Sequence, residues 1–250
     1  MSYVTIEREG LVASVTLSRG KVNALNDAVI TELKAAFEEL EADDGVRALI
    51  FTGTGKFFSF GFDIPEFFHY SREDFTRYLR KFAELYRHLF LYPKPVVAAL
   101  NGHTIAGACM LATACDARLM VGSAAKISLN EITFGSTVFS GSVETLAFCV
   151  GRKNAQRVLY SGALFSAQEA LEMGLVDLVV SEENLASEAL KLARDFAEKD
   201  PRAFSSIKLL LRRPVAELIE LREQESIEEF VNIWYAESTR EHLKGITIRS

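Results

Sequence analysis

Cysteine is scarce in this chain. There are three in 250 residues, Cys109, Cys115 and Cys149, each among apolar neighbours. An odd, sparse set of that kind argues against a disulfide framework and fits reduced core thiols in a cytoplasmic protein. Histidine is nearly as scarce, with four scattered residues, and no Cys or His spacing matches a metal site. No run approaches eighteen uninterrupted apolar residues, so a membrane-spanning helix is not expected. The opening MSYVTIEREG has no basic stretch followed by an apolar run, so no secretory signal is expected either. Basic charge is in deficit, 28 Lys and Arg against 34 Asp and Glu, giving a net charge of -6. That balance argues against a general nucleic-acid binder and leaves room for a local basic patch that meets an anionic ligand. Low-complexity tracts and clear sequence repeats are also missing.

What remains is ordinary globular composition, 49% hydrophobic and 25% charged, in a chain long enough for one large domain or one domain with an appendage. Residues 3–8 and 11–17 alternate apolar and polar around Glu9-Gly10, which predicts a hairpin. Asn26 can cap a helix whose apolar stripe is Val29, Ile30, Leu33, Ala36, Phe37 and Leu40. Residues 46–52 (VRALIFT) read as a buried strand, 75–91 as a helix, and 96–100 (VVAAL) as a strand after Pro93 and Pro95. The small, apolar segment 107–114 fits a buried helix, followed by a strand at 117–121. Ser166 to Glu169 carries the pattern of a capping box for a helix ending near Gly174, and 175–180 reads as a strand. Helical patterns then cover 184–199, 203–211 and 215–243, with Pro201 and Pro214 as breaks. Interleaved strands and helices followed by helices alone predict an α/β core over residues 1–195 and a helical C-terminal region over 196–250.

Three segments could carry chemistry. In FFSFGFDIPEF, residues 57–67, Gly61 permits an unusual backbone angle and Asp63 can bond local amides. Such a turn can present the Phe62 N–H to a ligand, or can simply anchor a helix. In NGHTIAGACMLATACD, residues 101–116, Gly107 lies near a helix N-terminus, where free N–H groups and the helix dipole favour negative charge. Close helix packing would also require the same Gly and Ala residues. In ISLNEITFG, residues 127–135, Glu131 is either a solvated loop charge or a carboxylate in a dry site, where desolvation would raise its pKa and suit it to proton transfer.

Taken together and in order, these segments resemble the crotonase (enoyl-CoA hydratase/isomerase) family. The matching pieces are KVNALN at 21–26, LIFTGTGKFFSFGFDI at 49–64, KPVVAALNGHTIAGACMLATACDARL at 94–119, ISLNEITFG at 127–135 and SAQEALEMGLVDLVV at 166–180. The resemblance implies an α/β fold of repeated ββα units and a C-terminal helical region that supports trimers or dimers of trimers. It implies an acyl-CoA thioester substrate, with coenzyme A part of that substrate and no separate cofactor, metal, nucleic acid or membrane. By motif position, the amides of Phe62 and Gly107 would hold the thioester oxygen, and Glu131 would act as a base. The loop holding Lys21, Asn23 and Ala24, and the stretch Ser59, Phe60, Gly61, Asp63 and Ile64, would lie along the substrate.

Hydratases of the family carry two glutamates, and the first of those positions is Met110 here, beside the substrate. A lone Glu131 suits a proton shuttle that moves a double bond from the 3- to the 2-position. ISLNEITFG and EFVNIWYAESTREHL, residues 229–243, resemble segments of the 3,2-enoyl-CoA isomerases. The alternatives are hydration, another crotonase-type acyl-CoA reaction, or a non-catalytic acyl-CoA or RNA-binding protein. A serine peptidase finds no Ser, His and acid set among these motifs. Lesser candidates are Glu144 as a second carboxylate and Phe57, Phe58, Phe60, Phe62, Phe67 and Phe68 as acyl-pocket or core residues. His103 reads mainly as packing. Asp63 and Asp116 read as local structural bonds. Arg212, Arg213 and Lys244 read as solvated helix ends or CoA-phosphate contacts.

Overall fold

A computed structural model describes residues 2–246. β1 (Val4–Glu9) and β2 (Val12–Leu17) form the expected hairpin, paired from Glu9–Val12 to Val4–Leu17 around Gly10 at φ +61°. The helix α1 (Asp27–Ala42) starts where expected, because the Asn26 side chain accepts the Val29 N–H at 3.1 Å. Its buried stripe is the six residues read from the periodicity.

A unit of two strands and a helix then recurs. β3 (Ala48–Gly53) and β4 (Phe57–Ser59) lead through the short α2 (Ile64–Phe67) to α3 (Arg72–Leu91). β5 (Val96–Leu100) and β6 (His103–Ile105) lead to α4 (Gly107–Ala114). β7 (Ala117–Val121) and β8 (Lys126–Ser128) lead through a 3-10 turn (Glu131–Phe134) to α5 (Ser140–Ser161). The first strand of each unit enters a six-stranded sheet of order β1-β2-β3-β5-β7-β10, and the second enters a four-stranded sheet of order β4-β6-β8-β9. Beyond the β1–β2 hairpin, the large sheet is parallel. Its β5 and β7 are buried along their whole length, as expected for strands covered on both faces. The expected ββα architecture is therefore present, although the sequence carries no visible repeat.

β9 (Phe165–Ser166), α6 (Ala167–Glu172), β10 (Leu178–Val180) and α7 (Leu185–Ala197) complete the core. Both halves of the Ser166–Glu169 capping box form. The strand read at 175–180 is shorter than expected: the Leu175 and Val176 amides turn back to the Ala170 carbonyl, and pairing begins at Leu178. The C-terminal region also differs. One helix, α8 (Pro201–Trp234), runs through Pro214, and the break falls at Tyr235-Ala236 before α9 (Glu237–Leu243). Pro214 costs one backbone bond and a steric clash, and tertiary packing overrides that cost. Ala216, Ile219, Ile227, Phe230, Val231 and Trp234 are buried, with α8 against α3 and α5.

Polar clamps hold α8 at its other end. Lys208 Nζ lies 2.7 Å from Asp116 Oδ2, and Arg212 Nη2 lies 3.1 Å from Asp116 Oδ1. Arg212 also donates to the carbonyls of Phe90, Ala114 and Cys115. Arg212 is thus neither a solvated helix end nor a phosphate contact; it is a buried cap on the C-termini of α3 and α4. Asp116 is structural, as read. No helix of the described residues is long and apolar enough to cross a membrane.

Candidate active site

The turn after β4 is shaped by its own backbone. Gly61 adopts φ +90°, and its N–H donates to Ser59 Oγ at 3.1 Å. Leu25 N–H donates to the Gly61 carbonyl at 2.7 Å, and Asp63 N–H donates to the Leu25 carbonyl at 3.0 Å. Because residues alternate in direction along an extended segment, this bridge leaves the Phe62 amide facing the opposite side. Within the described residues, the Phe62 N–H has no acceptor.

The turn after β6 is strained. Ala106 sits at φ +52°, a left-handed region that costs a residue with a Cβ about 1–3 kcal/mol. It delivers the chain into α4 at Gly107, whose N–H, at the first position of the helix, likewise has no acceptor within the described residues. The two turns touch. A Cβ on Gly61 would lie 2.7 Å from the Ile105 carbonyl and 3.2 Å from Gly107 N, and a Cβ on Gly107 would lie 2.8 Å from the Phe62 ring. Two unpaired amides on abutting turns, one of them at a helix's positive end, can together cradle an oxyanion.

Both turns border a cavity of about 690 Å³, counted to its open mouth, with apolar walls. Glu131 lies on this cavity as the first residue of the 3-10 turn and is 7% exposed. Its Oε2 has no hydrogen-bond partner among the described residues. Burial pushes its pKa up to about 7, opposed weakly by its own backbone. The group can therefore hold or release a proton near neutrality.

Met110 borders the same cavity and is 1% exposed; Ser142 Oγ donates to its sulfur at 2.9 Å. Phe60, Phe62 and Ile64 also line it. Other expected residues hold the frame instead. Asn23 is fully buried at φ +50°, accepts from Arg19 N–H, and donates to the carbonyls of Thr54 and Phe57. Ala24 is buried, and its carbonyl accepts from Arg19. Asp63 caps α2 through Glu66 N–H and pairs with Arg19 at 2.7 Å. Lys21 is exposed on the neighbouring loop.

Phe58 and Phe67 are core residues. Glu144 lies outside the cavity wall and pairs with Arg152 at 3.3 Å and Arg222 at 3.8 Å, so it supplies no second carboxylate there. His103 accepts from Lys126 N–H and packs on Phe57, also away from the cavity. Lys244 pairs with Glu241. Among the described residues, no group of three or more His, Cys, Asp or Glu side chains could hold a metal ion.

Sequence reading missed the far wall: Phe139, Ser142, Phe230, Trp234 and Ile246. Phe230 and Trp234 have a helical i, i+4 spacing, which announces a buried face but not what that face borders.

The enoyl-CoA hydratase/isomerase family model matches residues 7–247. A probable enoyl-CoA hydratase of Bacillus subtilis (strain 168) is 33% identical over 213 residues, covering 84% of this chain and 82% of its own. The mitochondrial enoyl-CoA delta isomerase 1 of Rattus norvegicus is 29% identical over 244 residues, 96% of this chain and 84% of its own. The crystal structure of human mitochondrial delta3-delta2-enoyl-CoA isomerase superposes with a TM-score of 0.92 at 30% identity, covering 97% of this chain and 95% of that one.

Proposed function

The chain belongs to the enoyl-CoA hydratase/isomerase family, and on that premise we propose that it is an enoyl-CoA isomerase that moves a double bond from the 3- to the 2-position of an acyl-CoA. The observation that carries this reading is the single carboxylate: Glu131 borders the cavity, while Met110 stands where the resemblance places the first glutamate of a hydratase.

The thioester oxygen accepts the Phe62 and Gly107 N–H groups. Glu131, ionised, removes a proton from the carbon between the carbonyl and the double bond. The electron pair enters the carbonyl as a dienolate, and the two amides stabilise the oxygen's developing charge, each worth about 10²–10³ in rate. Protonated Glu131 then returns the proton two carbons further along, which leaves the double bond conjugated with the thioester. A pKa near 7 matches both halves of the cycle, because one group must be a competent base and then a competent acid. Coenzyme A belongs to the substrate, and no other cofactor is needed. Free, mostly buried thiols fit a cytoplasmic setting. A homotrimer, or a dimer of trimers, accompanies this reading.

The test is product analysis on 3-enoyl-CoA and 2-enoyl-CoA in separate reactions, with Glu131→Gln as control. The expected result is conversion of the 3-enoyl to the 2-enoyl thioester with little 3-hydroxyacyl product, and a loss of about 10²–10⁴-fold in the variant. Rapid hydration of the 2-enoyl substrate would instead assign a hydratase.

A further inference from the structure

Two adjacent residues of α9 reach two separate parts of the site. Thr239, 2% exposed, donates its hydroxyl to the Gly135 carbonyl at 2.7 Å. Arg240 donates Nη2 to the Phe68 carbonyl at 2.9 Å, with its guanidinium 3.6 Å from the centroid of the Phe68 ring. Among the described residues, neither carbonyl has another donor. Gly135 closes the 3-10 turn that begins at Glu131: its N–H donates to the Glu131 and Ile132 carbonyls, and Ser136 N–H donates to the Glu131 carbonyl at 3.1 Å. Phe68 closes α2, which starts at the Phe62-Asp63 step. Phe68 N–H donates to the Ile64 carbonyl at 2.8 Å, and Ile64 N–H donates to the Phe62 carbonyl at 2.9 Å. Each anchor is therefore one hydrogen-bonded turn away from a group in the proposed chemistry, Glu131 on one side and the Phe62 amide on the other.

These two turns belong to different ββα units. Among the described residues, no hydrogen bond or ion pair joins residues 64–70 directly to residues 130–136. The connection runs through α9. A Cβ on Gly135 would lie 3.6 Å from both Thr239 Oγ1 and His242 Nδ1, so the helix rests on the turn itself. On the other side Tyr235, just before α9, donates its hydroxyl to the Tyr70 carbonyl at 2.8 Å, two residues beyond Phe68. Burial alone does not call for the Thr239 hydroxyl, because valine has the same shape and no polar atom to satisfy.

Resting on the acyl-CoA reading above, we propose that Thr239 and Arg240 are positioning residues: together they strap the Glu131 turn to the Phe62 turn and so fix the spacing between the base and one donor of the oxyanion cradle. Neither residue lines the cavity. Proton removal and oxyanion stabilisation must act on one thioester at the same time. An error in that spacing therefore weakens the transition state more than the ground-state complex.

The experiment measures kcat and KM on 3-enoyl-CoA and on 2-enoyl-CoA for the wild type, Thr239→Val, Thr239→Ser, Arg240→Leu, Arg240→Lys and the double variant Thr239→Val with Arg240→Leu. Denaturant titration checks that each is folded. Thr239→Val keeps the shape and loses the donor, and is expected to lower kcat about 10–10²-fold with KM little changed, the scale of a small misplacement of reacting groups. Thr239→Ser keeps the donor and loses a methyl, and is expected to restore most of kcat. Arg240→Leu should fall as far as Thr239→Val, with partial rescue in Arg240→Lys, so either position alone can carry the test. The double variant should lose no more than the worse single variant, because a strap cut at one end transmits nothing from the other. Wild-type kcat in folded Thr239→Val, a serine variant worse than the valine one, or losses that multiply in the double variant would overturn the proposal. Hydration of 2-enoyl-CoA by the wild type would count against the isomerase reaction alone, and the same comparison on that turnover would still judge the strap. A wild type inert on both thioesters would remove both.

Discussion

At the scale of single residues, burial sets the chemistry. Glu131 has a folded-state pKa of about 7 against an ordinary 4.5, because the charged form is desolvated. The folded protein therefore holds this proton more tightly than the unfolded chain. The stability tied to it is complete below about pH 4.5 and is lost as pH rises through about 7, reaching a deficit on the order of 3 kcal/mol. Glu131→Gln is expected to unfold like the wild type at low pH and to be more stable above neutrality, by up to that amount in denaturant titrations. In the wild type, kcat/KM for the proposed isomerisation should rise with pH and level off above about 7, as Glu131, the proposed base, ionises. Gly61 is a second residue-scale case. A Cβ there meets both φ +90° and the Ile105 carbonyl at 2.7 Å. Gly61→Ala is expected to lose about 1–3 kcal/mol of stability and about 10²-fold in kcat, as the Phe62 amide moves away from the proposed oxyanion position.

At the scale of elements, α8 shows local preference and tertiary packing in conflict. Pro214 is an interior helix position, with the neighbouring Leu210 and Leu211 exposed. Pro214→Ala restores a backbone donor without touching the core and is expected to raise stability by about 1–3 kcal/mol, read as a higher midpoint at an unchanged denaturant slope. Asp116 works in the opposite sense. It joins Val96 N–H, Lys208 and Arg212, and burial already pulls Lys208 down to about 8. Asp116→Ala leaves two buried cations without their counter-charge and should cost about 3–5 kcal/mol.

At the scale of the molecule, the long C-terminal helix exposes large apolar side chains in sequence: Ile207, Leu210, Leu211 and Leu221, the last at 82%. A subunit interface over this surface fits the proposed trimer. The paired change Leu210→Asp and Leu221→Asp is expected to shift sedimentation from trimer to monomer, and a monomeric wild type would refute that assembly.

Much of this architecture was legible locally. The hairpin, the Asn26 cap with its six-residue stripe, the Ser166 capping box and the small-residue helix at Gly107 all depend on contacts within a few residues. The three-residue strands β4, β6 and β8 were not legible, because so short a segment carries no periodicity and exists only by pairing with its neighbours. The ββα repeat hides for the same reason: topology repeats while residue identities do not.

The sequence by itself determined which groups were available: two candidate amides at glycine turns, one glutamate in an apolar segment, and a methionine where a second acid could have stood. Tertiary structure alone decided what they are. Glu131 is a carboxyl with a raised pKa because the cavity it borders is walled by Phe139 at the N-cap of α5 and by Phe230 and Trp234 on α8, while Thr239 on α9 bonds the Gly135 carbonyl behind it. Desolvation is the sum over whatever surrounds a group, and here most of those surroundings come from segments far away in the chain.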